Sequence, residues 1–219
     1  MDAKAKVKVG DFDRGGKNRV PTKAADHDFK PKNVVTPYGI LVPEFDELFL
    51  YLTESKITSD FIVDILEDFW ISQKHRFTNV KTLVLNQDNG PENHSHRTQF
   101  MKRIVEFSFK HELNIRLAYY PPYHSKYNSI ERAWAILENH WNGSILDEIE
   151  TVINFAESMK WNGNEPIIKT INETYNTGVK LTKKAMKQLE KEFVRMANIT
   201  ENKLYNLGRW FVDICFNNT

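Results

Sequence analysis

Three acidic side chains stand at positions where a chain could hold a carboxylate rigidly and still expose it. Asp88 follows the apolar run Thr82–Leu85 (TLVL) and precedes Asn89 and Gly90. It therefore falls at the C-terminal end of a predicted buried strand, where open α/β sheets place ligands. An aspartate there also caps a turn through its own backbone, and the residues alone leave both roles open. Glu131 falls in the first turn of a helix predicted from Ser129, where the helix dipole favours an acid with or without chemistry. The loop before it, YYPPYHSKYN (119–128), is stiffened by Pro121 and Pro122, whose φ angles are fixed. Asn128 and Ser129 suit a turn and an N-cap. Such a loop can aim one side chain. Asp2, on the polar face of the first predicted strand, carries no signal alone. Taken together, the three carboxylates make an oxygen-rich site that suits Mg²⁺ or Mn²⁺. Two such ions can activate a nucleophile and stabilise the leaving oxygen of an in-line phosphoryl displacement.

The elements that would carry these acids can be read from periodicity. Asp2 to Val9 alternates strictly, with Ala3, Ala5, Val7 and Val9 on one face and Asp2, Lys4, Lys6 and Lys8 on the other, which predicts a half-buried strand. A long polar loop then runs to about Tyr38. GILVP (39–43) and ELFLYL (47–52) read as two further strands, giving a three-stranded antiparallel start. In SDFIVDILEDFW (59–70), Ile62, Ile65, Leu66, Phe69 and Trp70 fall on one helical stripe, with Ser59 able to cap it. TLVL reads as a strand buried on both faces. Helices follow over about 97–113 and from Ser129 to about Trp141, with the strand IRLAY (115–119) between them. Residues 147–159 can be helical, WNGNEP reads as a turn, and a basic amphipathic helix is predicted from Thr182 to about Met196, with Met186, Leu189, Phe193 and Met196 at core spacing. RWFVDICF, near the end, fits no pattern. Strands first, then alternating helix and strand, give a mixed α/β sheet with helices packed against it.

Composition bounds the class. With 219 residues, 41% hydrophobic and 12% aromatic, the chain can bury an ordinary core and is not disordered. A single cysteine, Cys215, excludes an internal disulfide and fits a reducing compartment. No apolar run approaches the ~20 residues of a membrane span and the start has no apolar signal region, so a cytoplasmic chain without a membrane partner is expected. The net charge of +1 hides local asymmetry: residues 1–35 hold nine Lys or Arg against five Asp, and residues 180–195 hold six against two Glu. Such patches suit a polyanion, and equally a solvated surface.

Beyond these patterns, several segments resemble a known family in order along the chain: KVKVGDFDRGGKNRV (6–20), ADHDF (25–29), LTESKITSDFIVDILEDFW (52–70), DNGPENHS (88–95), RTQFMKR (97–103), RLAYYPPYHSKYN (116–128) followed by Ile130-Glu131-Arg132, LENHWNG (137–143), TGVKLTKKAM (177–186) and WFVDI (210–214). They are similar to the DDE insertion-sequence transposases of the ISAzo type, also called Rhodopirellula-type DDE transposases. The resemblance implies an RNase H-like fold, with three antiparallel strands, then parallel strands, and helices on both faces. It implies two Mg²⁺ or Mn²⁺ ions and DNA strand cleavage and transfer at the element ends. It maps the first acid onto Asp2, the second onto Asp88 and the third onto Glu131, with 42 residues between the last two. Relatives usually carry a proline where Ser129 stands. They also carry a helical DNA-binding region ahead of the first Asp. Here Asp2 follows Met1, so end recognition is expected to lie outside this chain and the first strand to fray. A catalytically inactive remnant that binds DNA or a partner subunit is the alternative expectation.

The expected organisation is a catalytic core over 1–143 and a mostly helical extension over 144–219. DNA is the expected partner, with self-association and no small-molecule substrate. The candidate DNA contacts are Arg14, Lys17 and Arg19 around a Gly15–Gly16 hairpin tip, Asn89 beside Asp88, His124, Lys126 and Arg132 around Glu131, and Lys183 and Lys184 in the second basic patch. Some of Tyr119, Tyr120, Tyr123 and Tyr127 would stack on bases and others would pack. His94, His96 and His124 have no cysteine nearby and give only a weak zinc signal.

Overall fold

A computed structural model describes residues 1–17, 24, 30–120, 128–195 and 211–216. The chain is mixed α/β, built as two compact units. The first comprises residues 1–56 and 129–174, the second 57–128 and 175–219. Each unit carries its own mixed sheet, an arrangement compatible with an RNase H-like fold. The chain crosses between units three times, after residues 56, 128 and 174.

In the first unit, β1 (Asp2–Ala3) and β2 (Val7–Val9) both pair antiparallel with β3 (Asn33–Val42). β3 pairs antiparallel with β4 (Glu47–Thr53), and β7 (Ile167–Ile171) lies parallel to β4 on its far side. The antiparallel start is present, but β3 begins well before the predicted Gly39. Pro37 reads as a strand breaker, yet here it sits in the middle of the strand. The opening strand is broken opposite it. Asp2 and Ala3 pair with Gly39 and Tyr38, whereas Val7, Lys8 and Val9 pair with Val35, Val34 and Asn33. Four steps on the outer strand, Ala3 to Val7, thus match three on β3, Tyr38 to Val35: one residue is extra, a β-bulge. The cause is local. The Lys4 amide donates to the Pro37 carbonyl at 2.8 Å, and Pro37 has no N–H to return.

α3 (Ser129–His140) and α4 (Ile149–Ser158) share a core with this sheet. Ile130, Ala133, Trp134, Leu137 and Trp141 of the predicted stripe are buried with Val7, Val9, Val35, Leu48, Leu50 and Leu52. Ser129 is the first helical residue rather than the cap. That is a position where either proline or serine can start a helix.

In the second unit, β5 (Thr82–Gln87) and β6 (Asn114–Tyr119) are parallel. β9 (Phe211–Ile214) pairs antiparallel with both β6 and β8 (Phe193–Arg195). Phe211–Ile214 of the WFVDI segment is therefore a sheet strand, tied by Arg116 to Asp213 through two 2.8 Å hydrogen bonds. α1 (Ser59–Gln73) and α2 (Thr98–His111) pack together, and Arg103 bridges Asp60 at 2.8 Å and Asp64 at 2.6 Å. Thr58, not Ser59, caps α1, accepting from the Phe61 amide at 3.2 Å. The Ser59 hydroxyl instead donates to the Glu92 carbonyl at 2.7 Å. β5 is not buried on both faces: Leu85 and Gln87 are buried, but Val84 is exposed. α5 (Lys183–Leu189) is shorter than its sequence pattern, and none of its residues is buried. Its pattern runs on into Phe193, which belongs to β8 because it pairs with Ile214. The described residues of 144–219 thus hold three strands that extend both sheets as well as α4 and α5.

Candidate active site

Asp2 owes its orientation to the bulge. Directly opposed residues of an antiparallel pair project to the same face. Asp2 opposes Gly39, and a Cβ on Gly39 would stand 2.5 Å from Ile130 Cδ1 and 2.8 Å from Trp134 Cη2. Gly39 therefore faces α3, and so does Asp2. Strict alternation would have turned Asp2 away from the face of Val7 and Val9; the extra residue brings it back. Its Oδ1 accepts from the Ala3 amide at 2.7 Å.

Two contacts fix α3 along this strand. At one end Ile130 lies on Gly39. At the other, Lys4 Nζ reaches Glu138 at 2.5 Å and lies 5.6 Å from the centre of the Trp141 ring. Burial works against ionisation of Glu138, but the Lys4 hydrogen bond and charge hold its carboxyl below the ordinary value. β1 and α3 run the same way, so the start of the helix lies at Asp2's end of the strand. Glu131, next to Ile130 and exposed, is delivered to that end. The first unit thus carries two of the three candidate acids toward the same end of β1.

The far end of α3 is locked by the glycines of two motif segments. The Gly143 amide donates to the Gly15 carbonyl at 2.8 Å. Gly16 has φ +79°, and a Cβ there would stand 2.3 Å from Asn142 Oδ1. Arg14 packs inward: its guanidinium donates to the Lys8 carbonyl and lies 5.8 Å from the Trp141 ring. Burial lowers its pKa, opposed by the charge of Glu138. DRGG and HWNG are therefore one folded junction, a contact that no local spacing could reveal.

Asp88 belongs to the second unit, one residue past β5 at the C-terminal end of the parallel pair. Its side chain is exposed, but one oxygen is held: buried Asn93 donates through Nδ2 to Asp88 Oδ1 at 3.0 Å and to the Asp88 carbonyl at 3.1 Å. Asn93 rests on two buried residues that oppose each other across the strands, Gln87 and Tyr119. The Tyr119 hydroxyl donates to the Asn93 carbonyl at 2.8 Å, and the Gln87 amide group lies within 3.4–3.5 Å of both the Asn93 side chain and its carbonyl. Burial pushes the Tyr119 phenol above its ordinary value of 10 against the hydrogen bond with Gln87. Tyr119 is therefore a packing tyrosine. Glu92 ties the same loop down, accepting from Arg97 Nη2 at 3.0 Å. Asn93, Gln87 and Tyr119 were not legible as site residues, since their roles depend on the fold bringing 87, 93 and 119 together.

The candidate DNA contacts fall in different settings. Lys17 is exposed beside the Gly143 junction, and Asn89 and Arg132 are exposed next to Asp88 and Glu131. Lys183 and Lys184 open α5 and are exposed. Arg19, His124 and Lys126 lie outside the described residues, as do Tyr123 and Tyr127. Among the described residues, no three acidic, histidine or cysteine side chains form a metal cage, so neither the His94–His96 pair nor the three candidate acids stand as a formed cluster. The three candidate acids, Asp2, Asp88 and Glu131, are all carboxylates, a donor type that suits a hard divalent cation.

The model of one protein family, the Rhodopirellula transposase DDE domain, matches residues 1–215. The chain belongs to this family of DDE transposases. No curated protein and no solved structure matches it. Membership points to transposition, and to nuclease or polynucleotidyl transferase chemistry on DNA. The match takes in both units of the transposase, including β8 and β9, so the strands beyond residue 143 belong to the family domain. Among the described residues of the transposase, no helix is long and apolar enough to cross a membrane.

Proposed function

We propose that this chain cleaves DNA at the ends of an insertion sequence and joins the freed 3′ ends to target DNA, with Asp2, Asp88 and Glu131 as the acidic ligands of two Mg²⁺ or Mn²⁺ ions and the strands ordered as in an RNase H-like sheet. The observation that supports this best is the bulge opposite Pro37. It turns Asp2 toward α3, whose first turn carries Glu131.

When bound, the ions would supply charge neutralisation and nucleophile activation at the scissile phosphate. The chain's own residues do the positioning. β1 carries Asp2, and the first turn of α3, packed on the same sheet, carries Glu131. Asn93 holds Asp88 at the end of β5. Arg132 and Asn89, exposed next to two of the acids, suit the DNA backbone. Lys183 and Lys184 stand in the first turn of α5, where the helix dipole disfavours cations. Neither is buried, so they suit phosphate contacts better than packing. By the family's habit, the chain would act as a dimer or larger assembly on paired ends.

The test is calorimetric titration with Mn²⁺ of the parent, Asp2→Asn, Asp88→Asn and Glu131→Gln, alongside Mg²⁺-dependent nicking of a supercoiled plasmid and joining of an end-bearing oligonucleotide. All three substitutions are expected to weaken metal binding and abolish nicking. Full activity in Asp88→Asn would overturn the reading. Salt-sensitive DNA binding without nicking in the parent would favour a DNA-binding subunit that uses the exposed lysines of α5.

A further inference from the structure

The second acid has a dedicated holder. We propose that Asn93 is the positioning residue for Asp88, and that Gly90 is glycine to leave room for this contact. The inference rests on the reading of Asp88 as a metal ligand.

Four observations converge. Asn93 is buried although its side chain is polar, and its amide donates to the Asp88 side chain and main chain together. The carboxylate is tied at one oxygen by the same amide that holds its main-chain carbonyl, and the other oxygen takes no bond from Asn93. The amide is itself anchored, since its donor also lies 3.4 Å from Gln87 Oε1. Tyr119 grips the backbone carbonyl of residue 93, not its side chain, so the loop keeps its attachment if the amide is removed. Finally, a Cβ on Gly90 would stand 2.8 Å from Asn93 Oδ1 and 3.2–3.3 Å from both Asp88 carboxylate oxygens. Space at that point, not backbone freedom, requires glycine: Gly90 is not among the positive-φ residues. Outer-shell groups that orient a ligand typically contribute about 10–100-fold in metal affinity.

The variants are Asn93→Leu, similar in volume without donors, and Asn93→Ser as a second choice should the first fail to fold. Folding is checked by thermal denaturation, and Mn²⁺ affinity by calorimetry. Each is combined with Asp88→Asn in a double-mutant cycle. The expected result is a native-like melting curve, Mn²⁺ affinity lowered roughly 10-fold or more, and a double variant no weaker than Asp88→Asn alone, because Asn93 acts through Asp88. A merely structural role would instead give additive losses. Asn93 variants with parental affinity, in an assay where Asp88→Asn loses binding, would overturn this inference alone. An Asp88→Asn variant with parental affinity would overturn the reading beneath it.

Discussion

Replacing Gly39 with alanine tests the register argument with a single methyl group. The added Cβ would lie 2.5 Å from Ile130 Cδ1 and 2.8 Å from Trp134 Cη2. Carbon atoms settle about 3.5–4.0 Å apart, so the start of α3 must retreat by about 1 Å. Ile130 and Trp134 are both buried and the indole is rigid, which leaves little room for side chains to absorb the clash. Overpacking of this kind costs about 1–3 kcal/mol, or roughly 2–12 °C in melting temperature for a chain this long. The effect on activity should be larger in proportion. Glu131 is covalently next to Ile130, and a ~1 Å misplacement of a reacting group can cost on the order of 100-fold in rate. Melting is followed by circular dichroism and activity by plasmid nicking. Ile130→Val removes the nearest clashing atom and should recover part of both losses in the double variant. A Gly39→Ala protein with parental melting and nicking would refute the claim that α3 is seated on Gly39. So would an Ile130→Val change that adds its own loss instead of offsetting the first.

Three further perturbations follow from contacts described above. Because the folded-state pKa of Glu138 is depressed, its pair with Lys4 contributes stability that is present above the ordinary carboxylate value of 4.5 and is lost as pH falls through the lower folded value. Glu138→Gln should flatten that acid limb in melting curves taken from pH 7 downward, and an unchanged limb would exclude the pair as its source. Tyr119→Phe strips a donor from the buried Asn93 carbonyl and should destabilise by about 1–3 kcal/mol, read by urea denaturation, with a fall in Mn²⁺ affinity. Gly16→Ala meets both a left-handed backbone and Asn142. It should cost about 1–3 kcal/mol and expose the loop of DRGG to limited proteolysis, which a parental digestion pattern would rule out.

Periodic elements could be read from the sequence because their signals are local. The stripe of α1 and the alternation of β2 each depend on residues a few positions apart. What escaped was set by distant partners. Residues 33–38 belong to β3 although Pro37 reads as a breaker, because the missing donor faces the one place where the outer strand bulges. The same bulge made the alternation of residues 2–9 misleading for Asp2. α5 stops at Leu189 because Phe193 finds a strand partner in Ile214, 21 residues further on. The acids themselves were visible only as isolated candidates. Their assignment came from the resemblance, whereas Asn93, Gln87 and Tyr119 become connected only once β5 and β6 lie side by side.

The Pro37 bulge also sets sheet quality against site geometry. Counting along the outer strand, Asp2 and Val7 have opposite parity, yet both point toward α3, and only an odd number of surplus residues can reconcile the two. Any change that regularises the ladder removes the surplus. Pro37→Val would restore the missing N–H and favour continuous pairing, in which Asp2 would oppose Ile40 and project to the other side of the sheet. Under the proposed function, a sounder strand would then be a poorer enzyme, and a screen that selects only for thermal stability would discard the proposed ligand Asp2.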